Sequence, residues 1–281
     1  MQVFDTSIEG IDGTTAKLTG YVIDNSEEMD VERKRATIVV VPGGGYEMTS
    51  DREAEPVALK LVSCGYNVFV LRYSCWPSVW PTALLQLAQT MRVIRHNNEQ
   101  WHVDSDKIVL MGFSAGGHLA ANLATTYASD PVFGEHGFSQ DEIKPNGLVL
   151  GYSVIDGGAK AHRGSFDHLL GEHKADPEWI EKLSLQNRVD EHTPATFLWH
   201  TATDDTVPVE NSLYFAQACI EHHVPVELHV FPQGGHGLSL GTRETSIKGW
   251  HNYGIEKDVQ AWPELFHAWM NRLFPDAVFT E

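Results

Sequence analysis

The sequence predicts an α/β fold, an open and mostly parallel central sheet flanked by helices, with a small cap inserted late in the chain. Three observations predict it. Short, continuous apolar runs rich in β-branched residues recur at 37–41, 67–73, 107–112, 147–153, 195–201 and 226–231, the pattern of strands buried on both faces. Segments of helical period lie between them. Strand–helix alternation with right-handed crossovers then builds a parallel sheet covered on both sides. The 281 residues suit one α/β domain, although a count of about 150 per domain would allow two.

Each element has its own reason. The alternating stretch 16–24 is expected as an antiparallel edge strand or hairpin. The first central strand, 37–41, runs into Pro42-Gly43-Gly44-Gly45-Tyr46. After strand 67–73, Leu84, Leu87, Ala88, Met91 and Ile94 repeat at helical spacing. Strand 107–112 leads into a helix over 115–127, and strand 147–153 follows. Residues 157–194 break the rhythm, with one helical candidate at 177–183 and the histidines His162, His168 and His173. Long insertions of this kind are usually functional loops or lids. This one is expected as a cap within a single domain spanning 1–281. Strand 195–201, helix 213–220, strand 226–231 and a last helix carrying Val259, Trp262, Phe266, Trp269 and Leu273 complete the pattern.

Charge narrows the partners. With 20 Lys and Arg against 38 Asp and Glu the net charge is −18, which repels nucleic acid and anionic membrane. A small neutral substrate is expected, with a homo-oligomer left open. Cys64, Cys75 and Cys219 are odd in number and widely spaced, unlike a disulfide framework or a Cys-based zinc site. Met1-Gln2-Val3-Phe4-Asp5 lacks the basic and apolar regions of a signal peptide, and no apolar run approaches the roughly 20 residues of a membrane span. The expectation is a cytoplasmic protein.

The sharpest motif is Gly112-Phe113-Ser114-Ala115-Gly116, a G-x-S-x-G between a predicted strand and a predicted helix. A serine on so tight a turn projects its hydroxyl above the sheet, and the helix N-terminus adds positive potential where an oxyanion would form. A serine that only caps the helix is the plain alternative. Such a nucleophile needs a base and an acid later in the chain. Among 15 histidines, His236 alone follows the last strand within a glycine loop, Gly234-Gly235-His236-Gly237; His251 and His267 lie further on. Asp204 and Asp205 both follow strand 195–201, and spacing does not choose between them. Asp156 is a third candidate, read as a turn residue before Gly157-Gly158. The loop at Gly43, Gly44 and Gly45 can offer free N–H groups to an oxyanion beside the N–H of Ala115. It lacks the G-x-G-x-x-G and Gly-Lys-Ser/Thr patterns of phosphate cradles.

The order of these motifs, 42–46, 112–117, 200–208 and 234–238, resembles the α/β-hydrolase superfamily. Within it, the chain is similar to the bacterial esterase/lipase group related to hormone-sensitive lipases and carbohydrate acetyl esterases. The resemblance covers about residues 37–273. It implies Ser114 as nucleophile, His236 as base and, from the register of H-G-x-x-D-x-x-V-P, Asp204 as acid. It also implies Gly44, Gly45 and Ala115 as the oxyanion donors. Two positions depart from the pattern: Pro42 stands for the His of H-G-G-G, and Thr201 for the Gly after His200. The implied activity is hydrolysis of short-acyl esters, acetylated sugars included, with no cofactor. A peptidase of prolyl-oligopeptidase type shares the triad, but 281 residues leave no room for its propeller. A non-catalytic binding module would be signalled by a lost Ser or His, and both are present.

The remaining candidates read as structure. His118 is expected as a packed or hydrogen-bonded histidine on the first turn of its helix. His162, His168 and His173 have no accompanying Cys or carboxylate pattern for a metal. The adjacent His222 and His223 face different ways on a helix. Tyr46, Trp76, Trp80 and Trp179 are candidate pocket walls or ordinary core.

Overall fold

The computed structural model describes residues 1–250 and 253–277. Strands β1 (Gln2–Glu9), β2 (Thr15–Val22), β3 (Arg35–Val41), β4 (Asn67–Arg72), β5 (Val103–Phe113), β6 (Gly147–Gly151), β7 (Thr196–Thr201) and β8 (Val226–Phe231) form one sheet in the order β1-β2-β4-β3-β5-β6-β7-β8. From β4 to β8 the pairings are parallel; β1–β2 and β2–β4 are antiparallel. The helices are α1 (Glu55–Val62), α2 (Thr82–His96), α3 (Ser114–Thr126), α4 (Pro131–Glu135), α5 (Gln140–Ile143), α6 (Arg163–Leu170), α7 (Pro177–Lys182), α8 (Glu210–Glu221) and α9 (Trp262–Leu273).

The period of two along a strand divides the core. Val39, Val41, Leu110, Leu148, Leu150 and Leu198 face the side packed by α2, α3 and α8. Ile38, Val40, Val109, Met111, Val149, Phe197 and Trp199 face the other, against α1 and α9. Helix α9 illustrates the fit: Trp262, Phe266, Trp269 and Met270 fall at helical spacing and are all buried, with Trp262 stacked on Trp199 at 5.5 Å between centroids. Burying an aromatic of this size is worth roughly 2–3 kcal/mol.

The predicted central strands agree with the observed ones to within a few residues at each end. The stretch expected as an antiparallel edge strand or hairpin is β2, which pairs antiparallel with β1 as a hairpin at one side of the sheet; the outermost strand β1 is largely exposed and left little hydrophobic signal. One expectation needs correction. The insertion holds more helix than the single candidate at 177–183, because α6 precedes α7. Phe166, Leu169 and Leu170 fall at i, i+3 and i+4 on α6 and join the core beside α3.

Because β3, β5, β6, β7 and β8 are parallel, their C-terminal ends share one edge of the sheet. The loops that leave β3, β5, β7 and β8 there carry the residues singled out above.

Candidate active site

Ser114 follows Phe113, the last residue of β5, and opens α3 with no residue between. Its φ is +51°, a left-handed backbone that costs a non-glycine residue free energy and is held here by the surrounding packing. The turn lies against the end of β3: a Cβ on Gly116 would stand 2.2 Å from the Val41 carbonyl oxygen. Only glycine lets the helix start this close.

The loop after β8 brings His236 to the serine. Ser114 Oγ lies 2.8 Å from His236 Nε2, and His236 Nδ1 lies 2.8 Å from Asp204 Oδ2. With Nδ1–H donating to the carboxylate, the Nε2 lone pair faces the serine hydroxyl. Such a relay can take the serine proton as the oxygen attacks, and the carboxylate stabilises the resulting imidazolium. The other oxygen of Asp204, Oδ1, accepts the N–H groups of Thr206 and Val207 at 3.0 and 2.9 Å. Burial works against ionisation of Asp204, but hydrogen bonds from His200, His236 and the Val207 N–H outweigh it and hold the carboxyl well below the usual range.

The competing acids are placed elsewhere. Asp205 is exposed, with one long contact to Thr206 Oγ1 at 3.4 Å. Asp156 accepts the Lys160 N–H at 2.8 Å and Gln186 Nε2 at 3.0 Å, so both of its oxygens are engaged within the insertion. His267 sits on α9, its Nδ1 2.7 Å from the Tyr66 hydroxyl. His251 lies outside the described residues.

The glycine loop orients its N–H groups through its carbonyls. The Gly43 carbonyl accepts Ser50 N–H at 2.9 Å, and the Gly44 carbonyl accepts Glu47 and Met48 N–H at 3.0 and 3.1 Å. A trans peptide points its N–H opposite its C=O. The Gly44 and Gly45 N–H groups therefore point away from those anchors, and neither donates to any described residue. The Ala115 N–H, in the first turn of α3, has no helical acceptor either. The Gly43 N–H is not free, because Glu53 Oε2 accepts it at 2.7 Å. The departure at Pro42 is accommodated: its carbonyl accepts the Tyr73 hydroxyl at 3.0 Å.

His118 is fully buried between Tyr46 Oη (3.0 Å from Nδ1) and the Leu183 carbonyl (2.9 Å from Nε2), tying α3 to the glycine loop and to the insertion. Burial pushes its imidazole down to about 4, so it is neutral near pH 7. His168 Nδ1 donates to the Gly45 carbonyl at 2.9 Å. The His162 ring lies 4.0 Å from where a Cβ on Gly45 would stand. Burial, followed by the nearby His236, lowers its pKa. His173 stacks on Trp179 at 4.9 Å, and among the described residues no three His, Cys, Asp or Glu side chains converge as a metal site. Tyr46 is core, whereas Trp76 is 49% exposed beside His168. Trp80 and Trp179 pack edge to face at 4.7 Å under the Lys182 ammonium.

Sequence reasoning missed several groups that touch the site's loops. The Tyr253 hydroxyl donates to the His236 carbonyl at 2.7 Å. Arg52 donates to the Gly237 and Thr245 carbonyls. Glu53 and Tyr152 are two more.

Residues 24–219 match the BD-FAE family. Endo-1,4-beta-xylanase B of Butyrivibrio fibrisolvens is 36% identical over 234 residues, which are 81% of this chain and 36% of that protein. The acetylxylan esterase of Xylanibacter ruminicola is 31% identical over 210 residues, 73% of this chain and 41% of that protein. The chain thus spans about two fifths of the length of these relatives. Among solved structures, an acetyl ester-xyloside bifunctional hydrolase from Caldicellulosiruptor lactoaceticus superposes with a TM-score of 0.78 at 38% identity, covering 92% of this chain and 89% of that one.

Proposed function

The chain belongs to the BD-FAE family of α/β-hydrolases, and on that premise we propose that it is a serine carboxylesterase that removes short acyl groups, acetyl above all, from sugar esters. Ser114 attacks the ester carbonyl as His236 takes its proton, and Asp204 holds the imidazole in the required tautomer. The N–H groups of Gly44, Gly45 and Ala115 receive the developing oxyanion. His236 then protonates the departing alcohol, and the same imidazole activates water to release the acid from the acyl-enzyme. These steps use side chains and backbone of this chain alone.

The observation that carries the proposal is the unbroken relay Ser114–His236–Asp204, with 2.8 Å at each link, beside a loop whose Gly44 and Gly45 N–H groups donate to none of the described residues. The sugar-ester substrate rests on the names of the relatives and on the net charge of −18, which suits a neutral ligand. Residues 157–194 are assigned the role of a cap, since His162 and His168 reach the glycine loop from it. The test is a panel of acetyl to long-chain 4-nitrophenyl esters together with acetylated xylo-oligosaccharides. Release of acetate from the oligosaccharides, at kcat/KM no lower than for the acetyl aryl ester, is expected. Hydrolysis of the aryl esters alone would remove the sugar, and hydrolysis of neither would remove the reaction.

A further inference from the structure

Glu53 is 3% exposed, yet it is a carboxylate, and burying one is costly unless its oxygens are fully used. Both are used, on two different loops of the site. Oε2 accepts the Gly43 N–H at 2.7 Å; Oε1 accepts the Tyr152 hydroxyl at 2.7 Å. Gly43 is pressed between the carboxylate and the nucleophile, since a Cβ there would stand 2.7 Å from Ser114 Cβ and 2.8 Å from Glu53 Oε2. The Tyr152 oxygen in turn accepts the Ser239 N–H at 2.9 Å, three residues past His236. The Tyr152 ring meets the imidazole edge to face at 5.1 Å.

We propose that Glu53 is a positioning residue that fixes the oxyanion loop and the imidazole loop relative to each other, and so aligns the donors at Gly44 and Gly45 with Ser114 and His236. The proposal rests on the triad reading above. At the first loop, Glu53 and the Tyr73 hydroxyl hold opposite ends of the peptide between Pro42 and Gly43, which sets the plane from which the next two N–H groups project. At the second, the chain Glu53–Tyr152–Ser239 holds both the ring packed on His236 and the backbone just beyond it. The neighbouring Arg52 closes the same brace, because its carbonyl accepts Ser239 Oγ at 2.6 Å. A carboxylate is required because it alone offers two acceptors and no donor. In Glu53→Gln the amide oxygen can stay on Gly43, whose N–H cannot turn. The amide nitrogen then meets Tyr152 and leaves its hydroxyl proton without an acceptor.

The test compares Glu53→Gln, Glu53→Ala, Tyr152→Phe and the double variant Glu53→Gln/Tyr152→Phe. Steady-state hydrolysis of an acetyl ester, the phosphonylation rate at Ser114 and the melting temperature are measured for each. Glu53→Gln and Tyr152→Phe both break the Glu53–Tyr152 link, the second together with the Tyr152–Ser239 bond, so each should lower kcat about tenfold or somewhat more with KM within about twofold, and the double variant should be no slower than the worse single one. Glu53→Ala frees the Gly43 end as well and should lose on the order of 10² in kcat and in phosphonylation, the scale of a lost oxyanion donor. Should Glu53→Ala fail to fold, the other three decide the matter. Wild-type kcat in the single variants, multiplicative losses in the double, or losses that follow melting temperature alone would each overturn the proposal. The wild-type control keeps the two readings apart: a wild-type chain that is not phosphonylated at Ser114 contradicts the triad, whereas a labelled, active wild type with indifferent variants contradicts only Glu53.

Discussion

Asp204 and Asp205 are chemically identical neighbours, and what separates them is one residue of register. Asp204 gives one oxygen to two backbone N–H groups and the other to His236, whereas Asp205 points into solvent. Asp204→Asn should therefore lose on the order of 10⁴ in kcat, since an amide cannot hold the imidazole tautomer that the serine needs. Asp205→Asn should stay within about twofold, as surface substitutions generally do. Steady-state kinetics on one acetyl ester compares them, and the reverse ranking would place the acid one residue later. Sequence spacing alone left this pair open; the register of a family motif pointed to Asp204. Glu53 left no such trace. It is one of 38 acidic residues, and its role depends on Tyr152, 99 positions away, a contact that no local pattern encodes.

At the scale of elements, the buried ones were the legible ones. Strands β3 to β7 read as continuous apolar runs because each lies between two helical layers, and the G-x-S-x-G joint read from its strand and helix. The edge hairpin and α6 were harder, because half-exposed elements need only half a pattern. Helix α3 is buried along its whole length, and His118 is its one ionisable side chain. That arrangement has a consequence for acid stability. His118 is held at about 4 in the folded chain against about 6.5 when unfolded. Between those values the unfolded chain binds a proton that the folded chain does not, so stability falls as pH falls through that window and levels below it. The loss from this one group is about 3 kcal/mol. Asp204, with its pKa depressed, adds a further loss as pH drops below the ordinary carboxylate range. His118→Gln can keep the hydrogen bond to the Leu183 carbonyl without a titrating ring. Urea melts from pH 7 to pH 4 should show a shallower decline for the variant than for wild type; parallel curves would mean that His118 is not the titrating group.

At the scale of the whole molecule, the reaction type and the substrate size draw on different features. The triad and the glycine loop bear on the first; the insertion and the surface bear on the second. Among the described residues no helix is long and apolar enough to cross a membrane. The surface carries a net charge of −18, which disfavours an anionic lipid interface. With the apolar side chains of α6 turned into the core, the insertion has little of the greasy inner face that an interfacial lid exposes on opening. Activity on 4-nitrophenyl esters should accordingly fall sharply beyond about eight acyl carbons. Rates rising toward emulsified long-chain esters would mark a lipase. Beneath both features lies the claim that one serine in this chain does covalent chemistry. The measurement that tests it most directly is intact-mass spectrometry with peptide mapping after titration with a fluorophosphonate, alongside residual acetyl-ester hydrolysis. One adduct per chain is expected, located on Ser114, with activity lost in proportion to labelling and neither adduct nor activity in Ser114→Ala. An adduct on another residue, or hydrolysis that survives in Ser114→Ala, would contradict it.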